Sequence, residues 1–139
     1  MDRRLRTLEQ LENDDWGEAT YDSYLVRRIR ALRRKPIAEF TVEDLRITLG
    51  QQMGMVHLTP LALAVLESNP FAEGHFYPGD LLVSVMRIPE PYWSAHRTEA
   101  ERMAHIAARV TTEIEALDVT GEIKDAISEL LDEARWHAA

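Results

Sequence analysis

The sequence predicts an all-α, single-domain globule of about six helices, two of them central and apolar. Three observations lead there. Apolar residues recur at helical spacing over most of the 139 residues. Two short segments, Leu61–Leu66 and Leu81–Met86, are apolar on nearly every side, as central helices are. Only one stretch reads as a strand at all, and a lone strand has nothing to pair with. At 16.0 kDa the chain hides roughly 68% of its surface on folding, enough for one core and too little for two ordinary domains. The domain boundaries are therefore set at 1–139.

The first helix carries Leu25, Ile29 and Leu32 at i, i+4, i+7, with Val26 beside them, and ends before Pro36. Thr41 follows as an N-cap, with Glu43 and Asp44 in the first turn, where the helix dipole favours negative charge. Val42, Leu45 and Leu49 form its apolar edge, and Gly50 or Gly54 ends it. Thr59-Pro60 reads as a second N-cap with proline at the first helical position, opening the segment to Leu66. Asn69-Pro70 stops that helix. Phe71 to Gly79 is a loop punctuated by proline and glycine, and Asp80 reads as the cap of Leu81–Met86.

Two amphipathic helices close the chain. Met103, Ile106, Ala107, Val110, Ile114 and Leu117 are spaced 3-1-3-4-3, and Ile123, Ile127, Leu130, Leu131 and Ala134 are spaced 4-3-1-3. Both patterns follow the 3.6-residue stripe. Only Thr120-Gly121 and its neighbours separate them, which predicts an antiparallel helical hairpin over 97–136.

Charge narrows the function classes. There are 16 Lys+Arg against 24 Asp+Glu, a net charge of −8. Residues 1–36 sum to +2 and each remaining third to −5. Nucleic-acid binders need the opposite balance, because phosphate contacts require Lys and Arg, so direct nucleic-acid binding is not expected. The basic run Arg27 to Lys35 lies beside the acidic stretch Glu12 to Asp22 and reads as a solvated, neutralised face. With no cysteine, disulfides, thiolate zinc sites and a cysteine nucleophile are excluded. No run approaches the roughly 20 apolar residues of a membrane span, and the basic N-terminus lacks the apolar segment of a signal peptide. A cytoplasmic location is expected.

Catalytic signatures are missing. The sequence holds no phosphate-binding glycine loop and no nucleophile elbow. None of His57, His75, His96, His105 and His137 lies four residues from another histidine, so no zinc-binding helix face forms. Glu73, His75 and Asp80 are the one cluster that could share a proton or a metal. Turn chemistry accounts for the same residues: a tight turn Tyr77-Pro78-Gly79-Asp80, with His75 and Phe76 packed beneath it. Neither an enzyme nor a cofactor or metal site is expected. A small acidic protein without an active site fits a binder of basic proteins, whose complementary fields speed and specify association.

Several stretches then carry a resemblance. TLEQLENDDWGEATYD at Thr7–Asp22, FTVEDLRITLGQQ at Phe40–Gln52 and NPFAEGHFYPGDLLVSV at Asn69–Val85, with Tyr92-Trp93 after them, resemble bacterial contact-dependent growth inhibition (CDI) immunity proteins over residues 7–93. His75 stands where the resemblance leads one to expect an acidic residue. The resemblance implies a protein that binds the C-terminal toxin domain of its own system's effector, in many cases a nuclease, and neutralises it. The family blocks themselves read as structural. Contacts are expected at Asp14, Asp15, Trp16, Glu18 and Asp22, then at Glu73, His75 and Tyr77. A second acidic surface is offered by Glu113, Glu122, Asp125 and Glu129. Two alternatives remain open: a small helical hydrolase on Glu73, His75 and Asp80, and a helical adaptor using apolar surface near Tyr92-Trp93.

Overall fold

The computed structural model describes residues 2–14 and 23–137. Among them every regular element is helical: α1 (Leu8–Glu12), α2 (Tyr24–Arg33), α3 (Val42–Gly50), α4 (Met55–Ser68), α5 (Asp80–Met86), α6 (Glu90–Ala95), α7 (Arg97–Glu113) and α8 (Gly121–Glu133), with single 3-10 turns between and beyond them. α1 and α6 exceed the six expected helices. Both are barely a turn and a half long, too short to show a periodicity. The Leu81–Met86 segment is helix and not strand.

One hydrophobic cluster runs from Leu8 of α1 to Trp136 beyond α8. Of the two segments expected at the centre, α5 is buried in all seven residues. α4 instead buries Leu58, Thr59, Ala62, Leu63 and Leu66 and leaves Val56 and Ala64 exposed. It also begins a turn and a half earlier than Thr59-Pro60 suggests. Gly54 stands before Met55 in the left-handed conformation, and Pro60 lies inside the helix. α3 ends at Gly50, as one of the two glycines was expected to end it.

α2 starts at Ser23, whose hydroxyl accepts from the Val26 amide at 3.1 Å, and lies against α1 and α3 with Ile29 and Leu32 buried. Leu25, expected on that stripe, is largely exposed, whereas Arg33 is buried and pairs with Glu12. Tyr92 and Trp93 of α6 are both buried. The Trp93 indole donates to the Ile88 carbonyl at 3.0 Å, and Tyr92 stacks on His96. Neither ring is left exposed as the apolar contact that an adaptor would use there.

α7 is tied across α4 by two arginines. Arg102 forks onto the Glu67 carboxylate, and Arg109 donates to the Glu67 carbonyl at 2.8 Å, where a helix C-terminus attracts cations. Thr120 caps α8 through the Ile123 amide. Trp136 and His137 then lie beside Trp93, Arg97 and Ala100 at the start of α7, so α8 doubles back along α7 as an antiparallel hairpin.

Candidate functional site

The two sequence blocks that stand out, TVEDLR and EGHFYPGD, meet in space. α3 and α5 lie side by side, and the loop before α5 folds back onto the first turn of α3. The Thr41 hydroxyl accepts from the Asp44 amide, and the Asp44 carboxylate accepts from the Thr41 amide at 3.0 Å, a capping box with aspartate in the third position. From that turn Glu43 and Asp44 diverge, as adjacent helical residues must.

Asp44 turns toward α2. It is buried and accepts from Arg28 at 2.7 Å and from Lys35 at 2.6 Å. Burial pushes its carboxyl pKa up, but hydrogen bonds from Lys35, the Thr41 amide and Arg28 outweigh that and hold it below the usual range. Glu43 turns toward the loop. Arg46, one turn later, grips both its oxygens at 2.6 Å, and this pairing above all keeps the Glu43 carboxyl low despite burial.

The loop completes the arrangement. Asp80, buried at the start of α5, accepts from the amides of Gly74 at 2.7 Å and Phe76 at 3.0 Å, while Glu43 takes the amide between them, that of His75, at 3.0 Å. Three consecutive backbone donors are thereby satisfied by two buried carboxylates, with Arg46 3.8 Å from Asp80 as their shared counterion. Such satisfaction is what burial of charge requires. Gly74 is obligatory here, because a Cβ would lie 2.6 Å from Glu43 Oε1 and 3.0 Å from Asp80 Oδ2. Gly79 reverses the chain at φ +96° and its amide bonds the Phe71 carbonyl.

Two expectations are corrected by this geometry. Asp80 is the first residue of α5 rather than its cap: Gly79 holds the cap position without a side chain, and the carboxylate points back along the loop. His75 and Phe76 are not packed beneath the turn; their backbones are held down and their side chains face solvent, Phe76 being 68% exposed. The Phe76 ring lies on the Arg46 guanidinium, 4.4 Å from it, and His75 Nδ1 is 3.7 Å from Glu43.

The other contact candidates separate. Glu73 is exposed and pairs backbone to backbone with Pro78, closing the loop stem. Tyr77 is half-buried against the core. Asp14 is exposed, and its carbonyl accepts from Arg33 at 2.9 Å. Asp15, Trp16, Glu18 and Asp22 lie outside the described residues. The hydrolase cluster is not assembled: the Asp80 carboxylate is occupied by amides, the Glu73 side chain is in solvent, and no metal-capable group of three His, Asp or Glu forms among the described residues.

Among the described residues the basic run is paired in part by Glu12 of the expected acidic stretch and in part by acids outside it. Arg28 and Lys35 pair with Asp44, Arg33 with Glu12 and Arg34 with Glu9. The far side of the molecule differs. Glu122, Asp125, Glu129 and Asp132 all face outward from α8, opposite its core residues Ile127 and Leu130. None of the four has an ion-pair partner among the described residues. Sequence reading missed Phe76 and Glu43 as site residues. The signal for Glu43 was its place one turn before an arginine; Phe76 had none, because an aromatic in a loop ordinarily packs.

A family model described as CDI immunity proteins matches residues 10–103. The match spans α2 to α6 and the start of α7, and includes both blocks that build the locked loop. No curated protein and no solved structure matches the chain.

Proposed function

Because the chain belongs to the family of CDI immunity proteins, we propose that it binds the C-terminal toxin domain of its own system's effector and neutralises it in the cytoplasm of the cell that makes it. The family match carries this reading. The surface supports it: a net charge of −8 is distributed so that the buried carboxylates hold the fold while Glu73, Asp14 and the α8 ridge face solvent. Like charges three and four residues apart on one helix face cost stability, a cost that a basic partner reverses.

The toxin is a protein with a basic cleft, as nucleases have, and the acidic faces dock over it with something like 1,600 Å² of total buried surface. The charges steer encounter and select the partner, and packed side chains at the centre hold the complex. The protein acts as an inhibitor without chemistry of its own. Of the expected contacts, Asp14, Glu73 and His75 keep exposed side chains and remain in the proposed interface, together with Asp15, Trp16, Glu18 and Asp22. Tyr77 is the weakest member, since part of its ring already packs on the core.

The test is protection. Cells producing the toxin domain encoded beside this chain's gene should stop growing, and co-production of the full chain should restore growth. Growth arrest unchanged by the full chain, at comparable levels of both proteins, contradicts the proposal.

A further inference from the structure

We propose that Phe76 is the central anchor of the toxin interface: a pre-positioned aromatic that enters an apolar pocket on the toxin rimmed by Lys or Arg. The proposal rests on the immunity reading and deepens it.

An exposed apolar side chain is ordinary by itself. Leu5, Tyr24, Leu25 and Val56 are also exposed, but they ride on helical turns whose backbones bond themselves. Phe76 differs because its loop has been built from outside. The amides of residues 74, 75 and 76 are each held by a buried carboxylate from another element. The loop ends are closed by the Glu73–Pro78 bridge and by the Gly79 amide on the Phe71 carbonyl. Phe71 itself is held by Asn69 Oδ1 at 3.1 Å. A loop so fully bonded does not lack the means to turn an aromatic inward; it holds Phe76 out.

The ring is also oriented. Arg46 supports one face at 4.4 Å, and Arg46 is fixed in turn by two hydrogen bonds to Glu43. The backbone is held by hydrogen bonds and the ring is favoured in one orientation before any partner arrives, which lowers the ordering cost of binding. Aromatic anchors of this kind, buried at the centre of an interface, dominate binding free energy. The partner's chemistry follows from the surroundings: the ring fits an apolar pocket, and the exposed Glu73, three residues away with no ion pair among the described residues, favours Lys or Arg over Asp or Glu at the rim.

The experiment measures the affinity of the full chain for the toxin domain encoded beside its gene, for wild type, Phe76→Ala and Phe76→Tyr, at two salt concentrations. Phe76→Ala should weaken binding by on the order of thirtyfold or more, with the loss mostly in the dissociation rate. Phe76→Tyr should recover most of it. Because the side chain is solvent-exposed, the thermal midpoint of free Phe76→Ala should stay near that of wild type, which separates a lost anchor from a lost fold. Wild-type binding that Phe76→Ala leaves within about twofold overturns the anchor and leaves the immunity reading standing. A wild-type chain that does not bind the toxin domain overturns both.

Discussion

The loop 69–80 with its α3 platform and the α7–α8 hairpin use charge in opposite ways. In the first, Glu43, Asp44, Arg46 and Asp80 point inward and hold backbone and neighbouring helices together. In the second, apolar stripes do most of the packing, with Arg102 and Arg109 tying α7 to α4, and Glu122, Asp125, Glu129 and Asp132 of α8 stand in solvent with no ion pair among the described residues. The family match covers the first region and stops at residue 103, before α8. The matched region contains the internal charge lock that shapes the loop, and the outward acidic ridge lies beyond it.

The sharpest way to break this contrast is to remove a charge from each region. Asp80→Ala strands the amides of Gly74 and Phe76 and leaves Arg46 with one partner; it should cost about 3–5 kcal/mol, the scale for breaking a buried ionic network, read by urea denaturation. Reversing Glu122, Asp125, Glu129 and Asp132 together to lysine should change stability by less than about 1 kcal/mol, since each is solvated. If the second set proves as damaging as the first, the division between inward and outward charge is wrong.

Gly74→Ala sharpens it from the steric side. The added methyl meets Glu43 Oε1 and Asp80 Oδ2, and one of the two carboxylates must move; a loss of about 1–3 kcal/mol is expected. Gly121→Ala in the hairpin meets nothing within 4 Å and, at the first position of α8, should be neutral or stabilising by a few tenths of a kcal/mol.

Acid should loosen the α3 platform. Glu43 and Asp44 bind protons more weakly folded than unfolded. Their stabilising contribution is therefore complete above roughly pH 5 and is lost progressively as pH falls through about 4 and below. Glu43→Gln should flatten the acid limb of a stability-versus-pH curve.

Much of this fold was legible from periodicity. The stripes of α3 and α8 and the cap at Thr41 are present at their expected places, as are those of α2 except at Leu25 and of α7 up to Val110, because each is a local pattern that tertiary packing reinforced. The failures have local causes too. Thr59-Pro60 looks like a helix start, but Gly54 offers a left-handed entry a turn and a half earlier, and Pro60 lies inside the helix at the cost of one backbone hydrogen bond. Leu25 belongs to an apolar stripe yet is largely exposed, and Arg33 belongs to a basic run yet is buried on Glu12. The candidate site was legible only as a set of strings. That Asp80 would reach back to Gly74 and Phe76, and that Glu43 would take the amide between them, depends on α3 and α5 lying side by side. Thirty-two residues separate Glu43 from His75, and no sequence spacing encodes that approach.

Charge reversal on α8 also has a kinetic consequence. Association with the toxin domain should slow roughly tenfold at low salt and lose most of its salt dependence, while dissociation changes little. The most direct measurement, however, is calorimetric titration of the full chain with the toxin domain encoded beside it, with toxin activity followed in the same samples. The account predicts saturable 1:1 binding and loss of toxin activity in proportion to complex formed. A toxin that stays fully active in the presence of excess folded chain, with no heat of binding, would contradict it.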